Sequence, residues 1–163
     1  MFSLKIEELI HFSIASITGI ILVLIFNNFW LLPISIFLGF LIDFDHLVDY
    51  FFCFFKLEKK IRRQNLFNIK YHIKKFFNPQ FYMLKTRKII VFLHGWEWVV
   101  IFWLIGRWLG TRIGWPGLKW IVIAYILHLT WDQISCAGTK FSYFFTYRLC
   151  HKFSREAYDG IKK

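Results

Sequence analysis

The sequence has few of the residues from which disulfide-linked domains are built. Its 163 residues include three cysteines, Cys53, Cys136 and Cys150, and no two of them form a CxxC pair. An odd number of widely spaced cysteines does not indicate a disulfide framework. Acidic residues are also scarce, with 10 Asp and Glu against 21 Lys and Arg. Internal repeats and low-complexity tracts are absent, so we expect residues 1–163 to form a single domain.

Long apolar runs dominate what is present. Hydrophobic residues make up 57% of the chain and aromatic residues 22%, whereas about 45–50% apolar residues is usual for soluble domains. A membrane-crossing helix needs about 20 mostly apolar residues, and four runs approach that length. We therefore predict an all-α polytopic membrane protein, a bundle of about four transmembrane helices with amphipathic interfacial helices. The predicted spans are residues 9–26, 29–55, 89–108 and 119–135.

The first run is expected to be retained as a span rather than removed as a signal peptide. It has no small-residue cleavage site, and Glu7 and Glu8 stand where a signal peptide carries basic residues.

The segment 56–88 is strongly basic. It holds eleven Lys and Arg residues against one acidic residue, Glu58. Basic and aromatic residues together also occur in nucleic-acid-binding segments, but the flanking apolar runs favour a cytoplasmic loop under the positive-inside rule. We therefore expect no nucleic-acid partner, and we place both termini and the basic tail 136–163 in the cytoplasm of a bacterial inner-membrane protein. The loop would attract anionic lipid headgroups, at about 1 kcal/mol per basic residue.

Two segments place apolar residues at helical spacing beside basic ones. The apolar positions are Leu66, Ile69, Ile73, Phe76 and Phe77 in the loop, and Phe141, Phe145, Leu149 and Phe153 in the tail. Such a helix either lies on the membrane surface or covers the rest of the protein. The sequence leaves both interpretations open.

Four histidines lie in or beside the apolar runs, and each has a carboxylate three or four residues away. The pairs are His11 with Glu7 and Glu8, His46 with Asp43 and Asp49, His94 with Glu97, and His128 with Asp132. Charged residues at the centre of a membrane helix cost roughly 2.5–3.5 kcal/mol each on insertion scales. So many ionisable groups at such positions indicate a functional polar site.

The predicted topology brings these groups to one side of the membrane. With a cytoplasmic loop, the four spans alternate in direction. At 1.5 Å per residue, the histidines and aspartates then lie within roughly 16 Å of the cytoplasmic edge. Groups at a common depth on four helices can share one site.

The chemistry of the shared site points to a divalent metal. Imidazole and carboxylate donors without thiolate suit Zn²⁺, with Mn²⁺ and Fe²⁺ as alternatives, and a catalytic zinc needs three protein ligands with one position open to water. One or two ions fit the number of donors. The candidate ligands are His11, Asp43, Asp45, His46, His94, His128 and Asp132. The candidate catalytic carboxylates are Asp45, which is also a candidate ligand, Asp49 and Glu97.

Each residue also has a simpler interpretation. A single histidine in a membrane helix is commonly a hydrogen-bonded packing residue, and aspartates 43, 45 and 49 could mark a helix end that meets water. Glu97, between two tryptophans, could face another helix. It is the joint occurrence at one depth that favours a metal site.

The order of these motifs resembles the YdjM-like family of predicted membrane-bound metal-dependent hydrolases. The resemblance rests on an early histidine (His11), the DFDH motif at residues 43–46, a histidine early in the third span (His94), and the HLTWD motif at residues 128–132. Ile42 stands where that family usually has proline, and Leu93-His94-Gly95 replaces its Thr-His-Ser. The resemblance implies a small membrane-bound hydrolase.

We therefore expect a metal-dependent hydrolase acting on a phosphoester or other ester of a lipid-like substrate. Two other classes of protein stay open: a proton or ion relay, and a non-catalytic scaffold with a structural metal. Four short spans without a pair of broken helices argue against an alternating-access transporter.

Overall fold

The computed structural model describes residues 4–57, 59–76, 90–135 and 141–154. Every regular element of this part of the chain is a helix, which confirms the all-α fold class. In chain order these are α1 (Leu4–Phe26), α2 (Leu31–Asp43), α3 (Asp45–Phe55), α4 (Lys59–Asn65), α5 (Ile69–Phe76), α6 (Glu97–Ile113), a 3-10 helix (Leu118–Ile121), α7 (Val122–Ser135) and α8 (Phe145–Cys150). The predicted loop and tail lie partly outside the described residues.

One helix of the described chain, α1, is long and apolar enough to cross a membrane. Its apolar stretch is Glu8–Phe26, near the N-terminus, and 28% of the most apolar window is buried inside the protein. A single helix of this kind also occurs as a signal sequence or as a core helix of a soluble protein. The four-span arrangement therefore remains a prediction.

The other three predicted spans are helical but shorter or interrupted. The span 29–55 forms α2 and α3, which are separated by Phe44. In the predicted span 89–108, residues 90–96 are irregular, and α6 begins at Glu97 and continues to Ile113. It ends where Gly114 takes the left-handed conformation, with φ of 72°, which glycine adopts without a steric penalty. The fourth span begins as the 3-10 helix and continues as α7.

Helices α1 and α2 pack as a close antiparallel pair because small residues line their contact. A Cβ atom added at Gly39 would lie 2.7 Å from the Cβ of Ala15, and one added at Gly19 would lie 2.9 Å from the Cα of Leu32. The Ser35 hydroxyl donates a 2.8 Å hydrogen bond to the Ala15 carbonyl across the same contact. Close backbone approach through small residues is a common mode of helix association in membranes.

Helix α7 lies at the centre of the main core. Tyr125 and Leu129 on this helix are fully buried beside Ile42 of α2 and Tyr143 of the tail. The Tyr143 carbonyl also accepts a 2.9 Å hydrogen bond from the Trp96 amide. Tyr143 therefore packs the tail against the bundle, but Phe141 and Leu149 of the apolar row are 62% and 53% exposed, so both interpretations of that row stay open.

The loop helix α5 is attached to α3 through a histidine. The Tyr50 hydroxyl lies 2.7 Å from Nδ1 of His72, and Phe54 packs edge-on against the same imidazole, with 4.8 Å between ring centroids. His72 is therefore half-buried and paired within the strongly basic segment 56–88.

Candidate metal centre

The candidate site residues come from four separate parts of the chain. His11 lies in the second turn of α1, and Asp43 is the last residue of α2. Asp45, His46 and Asp49 lie in α3, beyond the break at Phe44. His94 lies in an irregular segment, residues 90–96, that precedes α6, whereas His128 and Asp132 share one face of α7.

Four of these side chains direct donor atoms into one small volume. Nε2 of His128 lies 3.2 Å from Oδ2 of Asp132 and 3.4 Å from Oδ1 of Asp43. Nε2 of His94 lies 3.4 Å and 3.7 Å from the same two oxygens. The two histidine side chains are 4% and 1% exposed, so the cluster is enclosed by protein.

These distances are those expected between ligands of one ion. Donor atoms held about 2.0–2.1 Å from Zn²⁺ at a tetrahedral angle are about 3.4 Å apart. The Nε2 atom of His128 is buried and makes no hydrogen bond to any described residue, despite the two carboxylate oxygens beside it. The imidazole nitrogen and the carboxylate oxygens therefore face a common point without forming an N–H···O hydrogen bond. Buried His and Asp groups arranged in this way can hold a metal ion.

His94 is oriented by a carboxylate outside this volume. Its Nδ1 donates a 3.0 Å hydrogen bond to Oδ2 of Asp45, which also accepts a 2.6 Å hydrogen bond from the Leu93 amide. This leaves the lone pair of Nε2 directed at the carboxylates of Asp43 and Asp132. A carboxylate behind a histidine is the usual arrangement for a metal-bound imidazole.

His11 approaches the same carboxylates from α1. Its Nε2 lies 2.9 Å from Oδ1 of Asp132, and its Nδ1 lies 3.4 Å from Oδ2 of Asp43. The imidazole stacks at a tilt on that of His128, with 3.8 Å between ring centroids. His11, His128 and Asp132 form one set of three with donor atoms within 4.8 Å of one another, and Asp43, His94 and His128 form another.

His46 lies on the far side of His94. The two ring centroids are 4.8 Å apart, and His46 forms a third set of donors with Asp45 and His94. The structure thus gathers all seven predicted ligands into one neighbourhood and separates them into a central group and this flanking set.

The other two predicted catalytic carboxylates bind backbone amides. Asp49 accepts hydrogen bonds from the amides of Ile90 and Val91, at 2.9 and 3.3 Å. Glu97 accepts hydrogen bonds from the amides of residues 145 and 146 and from the Thr146 hydroxyl, at 2.7–3.0 Å. Neither residue belongs to a set of potential ligands in the described chain. Both carboxylates hold segments together, and their catalytic assignment has no support from the geometry.

The segment that carries His94 is held by residues that sequence reasoning missed. The guanidinium of Arg148, on α8, is fully buried and donates to the carbonyls of Ile90, Val91 and His94. The Tyr125 hydroxyl donates to the carbonyl of Gly95 at 3.0 Å. Nothing in the sequence separates Arg148 from the other basic residues of the tail.

The conformation of this segment requires such support. Val91 has a φ of 26°, which is costly for a β-branched residue because its side chain crowds the backbone there. Its amide bonds to Asp49 and its carbonyl to Arg148. The segment is fixed on both sides, and with it the position of His94.

Glu8 is a further carboxylate near the site. It lies about one turn before His11 on α1 and is half-buried. The sequence feature that pointed to Glu8 was its position three residues before His11.

Comparison with known proteins adds no assignment: no protein-family model, no curated protein and no solved structure matches this chain.

Proposed function

We propose that this protein is a membrane-embedded, metal-dependent hydrolase that acts on a phosphoester or other ester of a lipid-like substrate. The observation that carries the proposal is the convergence of two imidazole nitrogens and two carboxylate oxygens at 3.2–3.7 Å. His94, His128 and Asp43, whose donor atoms lie within 4.8 Å of one another, would hold the ion beside Asp132 and leave one position for water, and Zn²⁺ suits this donor set best. A bound Zn²⁺ lowers the pKa of its water towards about 7 and polarises the scissile group.

The surface of the protein supports a membrane location for this proposal. Large apolar side chains are exposed along α1, with Ile17, Leu24 and Ile25 at 59%, 78% and 66%. Soluble monomers rarely expose extended apolar surfaces of this kind. The other predicted spans contribute Phe37, Phe55 and Trp108, all more than half exposed.

A groove beside the site supports a lipid-like substrate. It lies between α1 and α7, has a volume of about 280 Å³, and is lined almost entirely by apolar side chains. Its wall begins at Ile14, within one turn of His11, and continues along α1 to Ile25. An acyl chain lying in this groove would place its ester or phosphate end beside the donor cluster.

The proposal also fits the resemblance to the YdjM-like hydrolases, which rests on the same residues. That family assignment is itself a proposal.

The test is a hydrolysis assay on protein purified in detergent and loaded with Zn²⁺ or Mn²⁺. Phosphodiesters and carboxylic esters with long and short acyl chains would be compared. We expect metal-dependent hydrolysis that favours long chains, is lost in His128→Ala and is kept in His151→Ala, because His151 is exposed and lies outside the cluster. Bound metal without hydrolysis of any ester, and loss of the fold on removing the metal, would instead identify a structural site.

A further inference from the structure

The two carboxylates at the centre of the site each direct their oxygens to different imidazoles. Asp132 presents Oδ2 to His94 and His128, and Oδ1 to His11 at 2.9 Å. Asp43 presents Oδ1 to His94 and His128, and Oδ2 to His11 at 3.4 Å. His11 therefore faces a separate set of oxygen atoms.

A single ion leaves part of this arrangement unused. The donor atoms of His94, His128 and Asp43 form one set of three, and Oδ2 of Asp132 lies 3.2–3.4 Å from the two imidazoles; we call this group the inner position. His11 Nε2 and Asp132 Oδ1 remain outside it. They are 2.9 Å apart, so one ion can lie about 2.0–2.1 Å from both. Nε2 of His11 is buried and forms no hydrogen bond with a described residue.

From this division we infer that the site binds two metal ions, with Asp132 as the bridging ligand and with His11 holding the second, outer ion. Carboxylates bridge ions about 3.5–4 Å apart in two-metal hydrolytic sites. The inference rests on the proposed function in one respect, namely that the cluster binds metal at all.

The pair His11–Asp43 has the same arrangement as the pair His94–Asp45, because in each a carboxylate contacts the Nδ1 atom of the imidazole. The 3.4 Å contact between His11 Nδ1 and Asp43 Oδ2 fixes the imidazole so that its other nitrogen faces Asp132. Asp45 does the same for His94 at 3.0 Å. Each proposed ion thus has one histidine whose outer nitrogen is held by a carboxylate.

Charge balance favours two ions over one. The carboxylates in and around the cluster are Glu8, Asp43, Asp45, Asp49 and Asp132, and the buried guanidinium of Arg148 reduces their charge, when ionised, to a net four negative charges. Two divalent cations balance this charge and one does not. Unbalanced charge in a buried site is costly because the surroundings screen it poorly.

Exposure distinguishes the two positions. The imidazoles of His94 and His128 are 4% and 1% exposed, whereas that of His11 is 9% exposed. The histidines of the inner position are thus the more deeply buried. The outer position has His11 and Asp132 as its protein ligands, which would leave coordination positions for water and substrate, as a catalytic ion requires.

The experiment counts ions per chain and asks whether they are coupled. Full-length protein in detergent would be loaded with Mn²⁺ or Zn²⁺, freed of excess metal, and measured by elemental mass spectrometry. We expect two ions per chain in the wild type and in the control His151→Ala, and one ion in His11→Ala. Electron paramagnetic resonance of the Mn²⁺ form should show an exchange-coupled pair in the wild type and an isolated ion in His11→Ala.

The outcomes separate the inference from the proposed function. One ion in the wild type, with an uncoupled Mn²⁺ signal, would overturn the two-ion site and leave a mononuclear hydrolase standing. Absence of bound metal under every loading condition would overturn both. The wild-type spectrum decides the question even if His11→Ala does not fold.

Discussion

The contact between Gly39 and Ala15 controls the distance between two metal-site residues. Ala15 lies four residues after His11 and Gly39 lies four residues before Asp43, so each is about one turn, or 6 Å, from its site residue. In Gly39→Ala the new Cβ would meet the Ala15 Cβ at 2.7 Å. Carbon atoms in ordinary contact are about 3.5–4.0 Å apart, so the two helices must separate by about 1 Å.

That displacement is large compared with the tolerance of a metal site. Metal–ligand distances are held within about 0.2 Å, and the contact between His11 Nδ1 and Asp43 Oδ2 is 3.4 Å. We therefore expect Gly39→Ala to weaken metal binding at least tenfold, measured by competition with a chelating dye. Overpacking alone should reduce the unfolding free energy by about 1–3 kcal/mol.

A second, compensating substitution tests whether helix packing causes the loss of metal affinity. The double variant Ala15→Gly with Gly39→Ala moves the single Cβ to the opposite helix and restores the space. We expect it to recover most of the metal affinity. Unchanged affinity in Gly39→Ala, or no recovery in the double variant, would refute the link between helix packing and the metal site.

Three further predictions concern the groups around the cluster. Asp45→Asn removes the charge behind His94, and we expect metal affinity to fall about 10–100-fold in the same competition assay; an unchanged affinity would contradict the orienting role. Arg148→Met leaves buried carbonyls without a hydrogen-bond donor, at a cost of about 1–3 kcal/mol each, so the melting temperature should fall even in metal-free protein. A decrease confined to the metal-loaded form would argue that Arg148 does not support the segment 90–96. Glu97→Gln should lower stability through its contacts with the tail, and preserved metal stoichiometry would separate it from the ligands.

Much of the site could be predicted from sequence because its residues are unusual in apolar helices. His128 and Asp132 follow from helical spacing alone, and the DFDH motif places three ligands around one helix break. For Asp49 and Glu97 the same reasoning could not predict what the carboxylate binds. A carboxylate near a histidine has the same sequence pattern whether it faces an ion or accepts hydrogen bonds from a distant backbone segment.

The fold was predictable in class but not in detail. Apolar content and run length indicate helices, yet they cannot show that residues 90–96 remain irregular, because that depends on hydrogen bonds from Arg148 and Tyr125, distant in sequence. The close packing at Gly39 likewise depends on which face of α1 meets α2.

The most direct test of a His/Asp metal centre is zinc X-ray absorption spectroscopy on the loaded, full-length protein. The account predicts a first shell of nitrogen and oxygen at about 2.0–2.1 Å with imidazole scattering and no sulfur. This signal should disappear in His128→Ala and persist in His151→Ala. A sulfur shell at about 2.3 Å, or a spectrum of hexa-aqua zinc indifferent to His128, would contradict it.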